Sequence, residues 1–302
     1  SEGRSGGGVV RIKAGTLIVN GNIRANGLGV GNLSRGAAGG SLWITTGRIS
    51  GSGTLEANGG SSTFGSGGGG AIAIEYTDPT STLPAMSTFP GTHTDTSSKN
   101  GGAGSIYLKG PDATYGDLRI ESSSATPEMP TELPSLGSGV ALAGSGGATL
   151  VTSRVNIPAY FEGHWVEITT SAGTVKGTWR VASIGGSTLI LAPNAAESIS
   201  IATGDAWRGV YLFDNVITRG THRLESLDPI RANAQQTVEG TLVTERINAR
   251  DLTVAANGNL SPKATLPMTI NVDAQMRVES GGLIDLNGRG YAPEVTYPDA
   301  TI

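Results

Sequence analysis

The 302-residue chain is rich in glycine and poor in charge, with 47 glycines and only 15% Asp, Glu, Lys and Arg. Its net charge of −4 and its lack of a basic stripe argue against nucleic acid as a partner. It contains no cysteine, which excludes disulfides and thiol chemistry, and no run of 18 apolar residues that would predict a membrane span. Because it begins with Ser1 and shows no signal peptide, we expect a processed piece of a longer protein.

A glycine-led motif recurs in the first 108 residues. The copies read GGGVVRI at 6–12, GGSLWI at 39–44, GGAIAI at 69–74 and GAGSIYL at 102–108. Gly7 and Gly39 are 32 residues apart, and so are Asn26 and Asn58 in a shared Ala-Asn-Gly tail. A fixed period of this length is typical of a solenoid, whose repeats bury their apolar faces against one another.

The segments between these glycines alternate apolar and polar residues with a period near two, which predicts short strands. The connections are too short for helical crossovers, so stacked parallel coils fit better than a βαβ sheet. Asn-Gly pairs, such as Asn58-Gly59, supply the corner conformations of such coils. In isolation the same pairs would indicate hairpins, which is the competing interpretation. We predict a β-solenoid over 1–137, with Pro/Thr/Ser-rich loops leaving it at 78–100 and 122–137.

Residues 138–218 differ in composition, because the repeated glycines become sparse and aromatic residues become frequent. Alternating segments are separated by turn pairs such as Ala172-Gly173 and Gly185-Gly186, which indicates antiparallel hairpins. We predict an inserted small antiparallel β-barrel or sandwich. Core packing is the favoured interpretation of its tryptophans, and glycan binding is the alternative; the candidates are Trp165, Trp179 and Trp207.

Repetition returns in residues 219–302, where we predict that the solenoid resumes before a C-terminal tail. Leu283 to Gly288 repeats the pattern of Thr54 to Gly59, including the Asn-Gly pair. Uncapped solenoid ends expose strand edges that favour association. We therefore predict head-to-tail self-association, or a longer array of the same chain, through its two ends; the candidate residues are Gly6, Gly7, Gly8, Leu286, Asn287 and Gly288.

The residues that carry chemistry are dispersed. The three histidines lack zinc-ligand spacing, no Gly-x-Ser-x-Gly elbow stands before a helix, and no calcium loop is present. We therefore predict no catalytic residue, no metal site and no cofactor. Asp251, Asp273 and Asp285 could align on one face, as a carbohydrate-cleaving β-helix would need, but the favoured interpretation is that they are solvated turn residues.

The segments SGGGVVRIKAGTLIVNGNIRANG (5–27) and AGGSLWITTGRISGSGTLEANGG (38–60) resemble the repeats of large secreted bacterial surface proteins of the haemagglutinin or adhesin type. That resemblance implies a right-handed parallel β-helix, export to the cell surface, and a structural or adhesive role without enzymatic activity. The alternative function is a β-helix that binds or cleaves carbohydrate. A surface glycan is the expected partner besides a second copy of the chain.

Overall fold

The computed structural model describes residues 5–29, 35–95, 100–122, 129–194, 197–220, 223–263 and 268–289. Within these residues the chain is all-β, as predicted, apart from one 3₁₀ turn at Ala159–Phe161. The chain divides into two compact units. The first, here called the stack, comprises residues 1–132, 213–225 and 232–302; the second, the module, comprises 133–212 and 226–231.

The strands range in length from two to fourteen residues, so the prediction of short strands holds only in part. In chain order they are β1 (Val9–Ile18), β2 (Asn22–Arg24), β3 (Ser41–Ser50), β4 (Thr54–Glu56), β5 (Ala71–Tyr76), β6 (Ala85–Ser87), β7 (Ser105–Lys109), β8 (Asp117–Glu121), β9 (Thr131–Leu133), β10 (Ser138–Val140), β11 (Thr149–Val151), β12 (Trp165–Thr169), β13 (Val175–Gly185), β14 (Thr188–Ala192), β15 (Ala206–Arg219), β16 (Arg223–Ser226), β17 (Ile230–Val238), β18 (Thr241–Thr244), β19 (Arg246–Val254), β20 (Asn259–Ser261), β21 (Thr269–Val278) and β22 (Leu283–Ile284).

Parallel pairing dominates the first part of the stack. Strands β1, β3, β5 and β7 lie side by side in one large sheet, and β2, β4 and β6 form a second sheet. Val10 lies beside Leu42 and Ile23 beside Leu55, so both sheets keep the 32-residue step of the sequence repeat. Strands adjacent in the sequence do not pair here, so the hairpin interpretation of the Asn-Gly pairs is wrong for this region.

The repeated glycines lie where the backbones of the two sheets come into contact. The Gly40 N–H donates to Ala25 O at 2.7 Å, and the equivalent Gly70 N–H donates to Ala57 O at 2.7 Å. A Cβ on Gly39 would lie 2.3 Å from Ala57 O. No side chain fits at this distance, and close approach of two backbones is therefore the reason for the glycine in each repeat.

The Ala-Asn-Gly tails form a ladder of side chains along the stack. Asn26 Oδ1 accepts the Asn58 N–H at 2.8 Å, and Asn58 Oδ1 accepts the Phe89 N–H at 2.8 Å. Each asparagine thus satisfies a backbone donor of the following repeat, which a turn alone would leave to water. The 32-residue spacing of these asparagines reflects this contact between repeats.

Chain direction reverses between two neighbouring strands of the stack, β7 and β8. These strands pair antiparallel, with Leu118 opposite Tyr107, whereas β8 pairs parallel with β15. Because side chains alternate across a strand, Leu118 points to the face of Tyr107, opposite to that of Ile106 and Leu108. Strands β1, β3, β5 and β7 therefore bury one face of this sheet, and β8 and the stack part of β15 bury the other.

The last part of the stack repeats the two-sheet arrangement with shorter steps. Strands β17, β19 and β21 extend the large sheet, while β9, β16, β18, β20 and β22 form a five-stranded sheet. Leu242 lies beside Leu260, and Leu260 lies beside Ile284, in parallel pairs. Leu242 and Leu260 are fully buried.

The predicted loops at 78–100 and 122–137 were wrong in part, because each contains a strand, β6 and β9. Strand β6 carries a single inward apolar residue, Met86, which lies beside Leu55. Such a short strand shows no alternation that a sequence pattern can detect.

The module is antiparallel throughout its described strand pairs, as predicted. Strand β12 pairs with β13 and β15, β13 with β14, and β14 with β11. Its core contains both large aliphatic and aromatic side chains, including Leu136, Phe161 and Ile168. The compact unit covers 133–212 and 226–231, where the sequence predicted 138–218. The second segment supplies Asp228, whose contacts with residues far away in sequence are described below.

Candidate functional site

Two of the three tryptophans proposed for glycan binding lie in the core of the module. Trp179 and Trp207 are each 3% exposed and belong to its hydrophobic cluster. The Trp179 Nε1–H donates to Glu197 Oε2 at 2.9 Å. Neither ring offers a free face on which a sugar could stack. Glycan binding by Trp179 and Trp207 is therefore wrong, and both are core residues. Strand alternation accounts for the difference, since it turns these positions inward.

Trp165 is the half-buried member of the three and lies opposite Arg180 in β13 and Val210 in β15. The more exposed tryptophan is Trp43 on β3, at 43%, which sequence analysis did not select. The Arg11 guanidinium lies 4.2 Å from the centre of its ring, in the neighbouring strand. This cation–π contact covers one face of Trp43 and links two strands of the stack.

A buried carboxylate organises the segment that enters the module. Asp228 is 3% exposed and accepts a hydrogen bond from Ser135 Oγ at 2.5 Å. It also accepts the Leu136 N–H at 2.7 Å, and His164 Nε2 lies 3.2 Å from its Oδ2. Burial acts to raise the pKa of Asp228, but the bonds from His164, Ser135 and the Leu136 N–H outweigh it and lower that pKa.

The arrangement of Ser135, Asp228 and His164 differs from that of a hydrolase. In a catalytic triad the histidine lies between the serine and the aspartate, so that it can take the serine proton. Here the aspartate lies in the middle, and Ser135 and His164 contact different oxygens of its carboxylate. The Ser135 hydroxyl donates to a carboxylate oxygen that also accepts the Gly137 N–H, and the lowered pKa of Asp228 makes it a weak base for the serine proton. This cluster therefore fastens residues 135–137 to residues 226–231 within the module.

A second buried carboxylate lies on the central strand of the module. Glu167 is 1% exposed and contacts two guanidinium groups, those of Arg208 and Arg231. The Arg208 Nε–H donates to Glu167 Oε1 at 2.7 Å. Burial acts to raise the pKa of Glu167, but the hydrogen bond and charge of Arg231 and the charge of Arg208 together lower it. The glutamate thus remains ionised and links β12, β15 and the 226–231 segment.

The sequence could not identify these two clusters, because their members are far apart in the chain. Ser135 and Asp228 are 93 residues apart, and Glu167 and Arg231 are 64 apart. The one local signal is Asp228-Pro229, a pair that favours a turn.

The three aspartates considered for carbohydrate cleavage do not align. Asp251 lies beside Gln275 rather than Asp273, and its Oδ1 accepts the Gln275 N–H at 3.1 Å. Asp285 follows β22, which belongs to the other sheet. No group of three or more His, Cys, Asp or Glu suited to a metal occurs within the described residues. His222, one of the three histidines, lies outside them.

The predicted end residues lie beside strands with a single neighbour in the described part of the chain. Gly6 and Gly8 are exposed just before β1, whereas a Cβ on Gly7 would lie 2.0 Å from Ala25 O. Gly7 is thus another glycine of close approach. Beyond β22, Leu286, Asn287 and Gly288 are exposed.

Comparison with protein-family models, with curated proteins and with solved structures finds no match. Among the described residues, no helix has the length and apolar character needed to cross a membrane.

Proposed function

We propose that the chain is a non-enzymatic structural segment of an extracellular bacterial surface protein, built as a right-handed β-solenoid that carries the module. The observation that supports this proposal is the regular parallel step of the stack. Val10, Leu42, Ile72 and Ile106 follow one another across four strands. The backbone bonds between such strands run along the direction of stacking, which suits a rigid spacer.

Side-chain ladders support the same role. The asparagine ladder and the corner glycines repeat with the strands, so each repeat is fixed to the next at its corner as well as at its sheets. These residues contact other repeats of the chain, and their recurrence follows from the stacking itself. A rigid stack of this kind would hold the module away from the surface that anchors the protein.

The buried charges of the module favour a structural role over catalysis. The Asp228 and Glu167 carboxylates are each saturated by donors of the module itself. A general acid or base needs a proton to exchange with a substrate, and a nucleophile needs a base beside it. These two carboxylates instead hold strands and segments together.

The proposal is tested by screening the purified chain for carbohydrate turnover and for binding on a glycan array. The same preparation is then stretched between its ends by atomic-force spectroscopy. A structural segment is expected to turn over no polysaccharide and to resist extension with unfolding events of the stack. Polysaccharide cleavage at a rate above the protein-free control would overturn the structural proposal, as would a stack that extends without measurable resistance.

A further inference from the structure

In the described part of the chain, each end of the stack has a strand with a single neighbour in both sheets. Within the described residues, β1 pairs only with β3 and β21 only with β19. Likewise β2 and β22 lie at the ends of their sheets. A strand with one neighbour carries a row of backbone donors and acceptors that a further strand can satisfy.

The inward apolar rows at both ends lack the cover that interior rows have. Leu42 and Ile44 are 1% and 0% exposed, whereas the equivalent Val10 and Ile12 of β1 are only half-buried. At the other end, Met276 is 43% exposed and its neighbour Leu252 is fully buried. A further coil on either end would bury these rows as the interior coils do.

The two ends differ in width by one residue. The inward Val10 of β1 and Ile23 of β2 are 13 positions apart, and Ile270 of β21 and Ile284 of β22 are 14 positions apart. Interior coils show both steps, since Leu42 and Leu55 are 13 positions apart and Ile72 and Met86 are 14. One end can therefore meet the other in both sheets at once.

We propose that the partner of each end is the opposite end of a second copy of this chain, with Ile270 beside Val10 and Ile284 beside Ile23. The proposal rests on the structural function proposed above and names its partner. The offset between paired residue numbers of the two copies is 260 from Ile270 to Val272 and one residue larger at Ile284. A bulge in β21, like the one that faces the stretch between Ala249 and Asp251 of β19, accommodates this extra residue.

This register brings opposite charges together in both sheets. It sets Asp273 beside Lys13, and both side chains are exposed. It also sets Asp285 beside Arg24, whose Nε–H donates to Glu56 Oε2 at 2.9 Å on its covered side. Arg24 would then lie between two carboxylates, one from each copy.

The same register continues the asparagine ladder. The Ala25 and Gly27 N–H groups donate to Glu56 O and Asn58 O, so the Asn26 N–H between them points to the uncovered side. The register sets Asn287 beside Asn26. Asn287 Oδ1 would accept the Asn26 N–H, just as Asn26 Oδ1 accepts the Asn58 N–H within one chain.

The topology also determines how the copies are oriented. Strands β1, β3, β5 and β7 bury the Ile106 face of the large sheet, and the stack strands after the reversal bury the Leu118 face. The cores of two successive copies can be continuous only if the second copy is turned by half a turn about the direction of stacking.

The absence of cysteine permits a direct test by cross-linking. Neighbouring strands bring paired Cα atoms to about 4.8 Å, within the range that a disulfide bridges. Full-length Lys13→Cys and Asp273→Cys variants are mixed and oxidised, with Asp112→Cys, on an exposed turn, replacing either one as control. We expect the Lys13–Asp273 pair to form a disulfide-linked dimer at least tenfold faster than the control pairs. Equal rates would overturn the proposed register.

Charge exchange tests the same contact without cross-links. Sedimentation velocity over a range of concentrations is expected to show association of the wild-type chain, weakened about fivefold by Lys13→Glu at low salt. Combining Lys13→Glu with Asp273→Lys should restore it. A monomer at every concentration refutes the proposal. If a chain ending at residue 289 associates whereas the full chain does not, then residues 290–302 occupy the edge, and the second copy is refuted as its occupant.

These outcomes are separable from the test of the proposed function. A monomeric chain that turns over no polysaccharide and resists extension would remove the partner and leave the structural role. A chain that cleaves polysaccharide would remove the structural role whatever its state of association.

Discussion

The repeated glycines at which the backbones of the two sheets make close contact, such as Gly39, offer the sharpest test of how the stack is built. In Gly39→Ala, the new Cβ would lie 2.3 Å from Ala57 O and 2.7 Å from Gly70 N. Ordinary contact needs about 3.4 Å or more, so the backbones of both sheets must move apart by about 1 Å. Overpacking of this kind costs about 1–3 kcal/mol in the free energy of unfolding. For a unit of this size, the stack's melting temperature should fall by about 3–10 °C.

Gly8→Ala is the matched control, because a Cβ there meets nothing within 4 Å. Its effect should stay within about 0.5 kcal/mol, since only the backbone propensity changes. Far-UV circular dichroism follows the melting of the whole chain, and hydrogen exchange at β3 and β5 assigns the change to the stack. Tryptophan fluorescence in a Trp43→Phe background, where the remaining tryptophans all lie in the module, reports on the other unit. Equal melting temperatures for Gly39→Ala and Gly8→Ala would refute the close-approach explanation.

Three further substitutions test the side-chain contacts. Asn58→Ala removes the acceptor of the Phe89 N–H and should lower stability by about 1 kcal/mol in urea unfolding, whereas Asn20→Ala, at an exposed turn, should change it little. Glu167→Gln leaves the guanidinium groups of Arg208 and Arg231 without a counter-ion, and should lower the free energy of unfolding of the module by about 1–3 kcal/mol. The loss is smaller than for a fully buried ion pair because both arginines reach solvent. Unfolding followed by tryptophan fluorescence measures it, and an unchanged midpoint would contradict this. Because the pKa of Asp228 is lower in the folded module than its ordinary value of about 3.9, the ionised carboxylate contributes its full stabilisation above that pH. The contribution is lost progressively as the pH falls through the lower folded pKa. Asp228→Asn should therefore flatten the loss of stability below about pH 4, and parallel pH profiles of the two proteins would show that Asp228 does not cause that loss.

Local sequence determines much of the stack, because its contacts repeat along the chain. Alternation predicts strands such as β3 and β5, and the 32-residue step of Gly7 and Gly39 predicts that equivalent residues become neighbours. The reason is that each repeat packs against a copy of itself, so one pattern carries both the local structure and the contact. The antiparallel module follows in the same way from its turn pairs and alternating strands.

Tertiary structure alone decides the features that depend on single, distant contacts. The reversal between β7 and β8 depends on which strand Asp117–Glu121 joins, and its alternation is the same for either direction. Burial of Trp179 and Trp207 depends on which face of β13 and β15 the module covers. The Asp228 cluster joins residues that nothing in the sequence relates to one another. A contact between repeats recurs along the chain, so the sequence shows it as a periodic pattern. A contact that is made once leaves no such pattern and can be seen only in the folded structure.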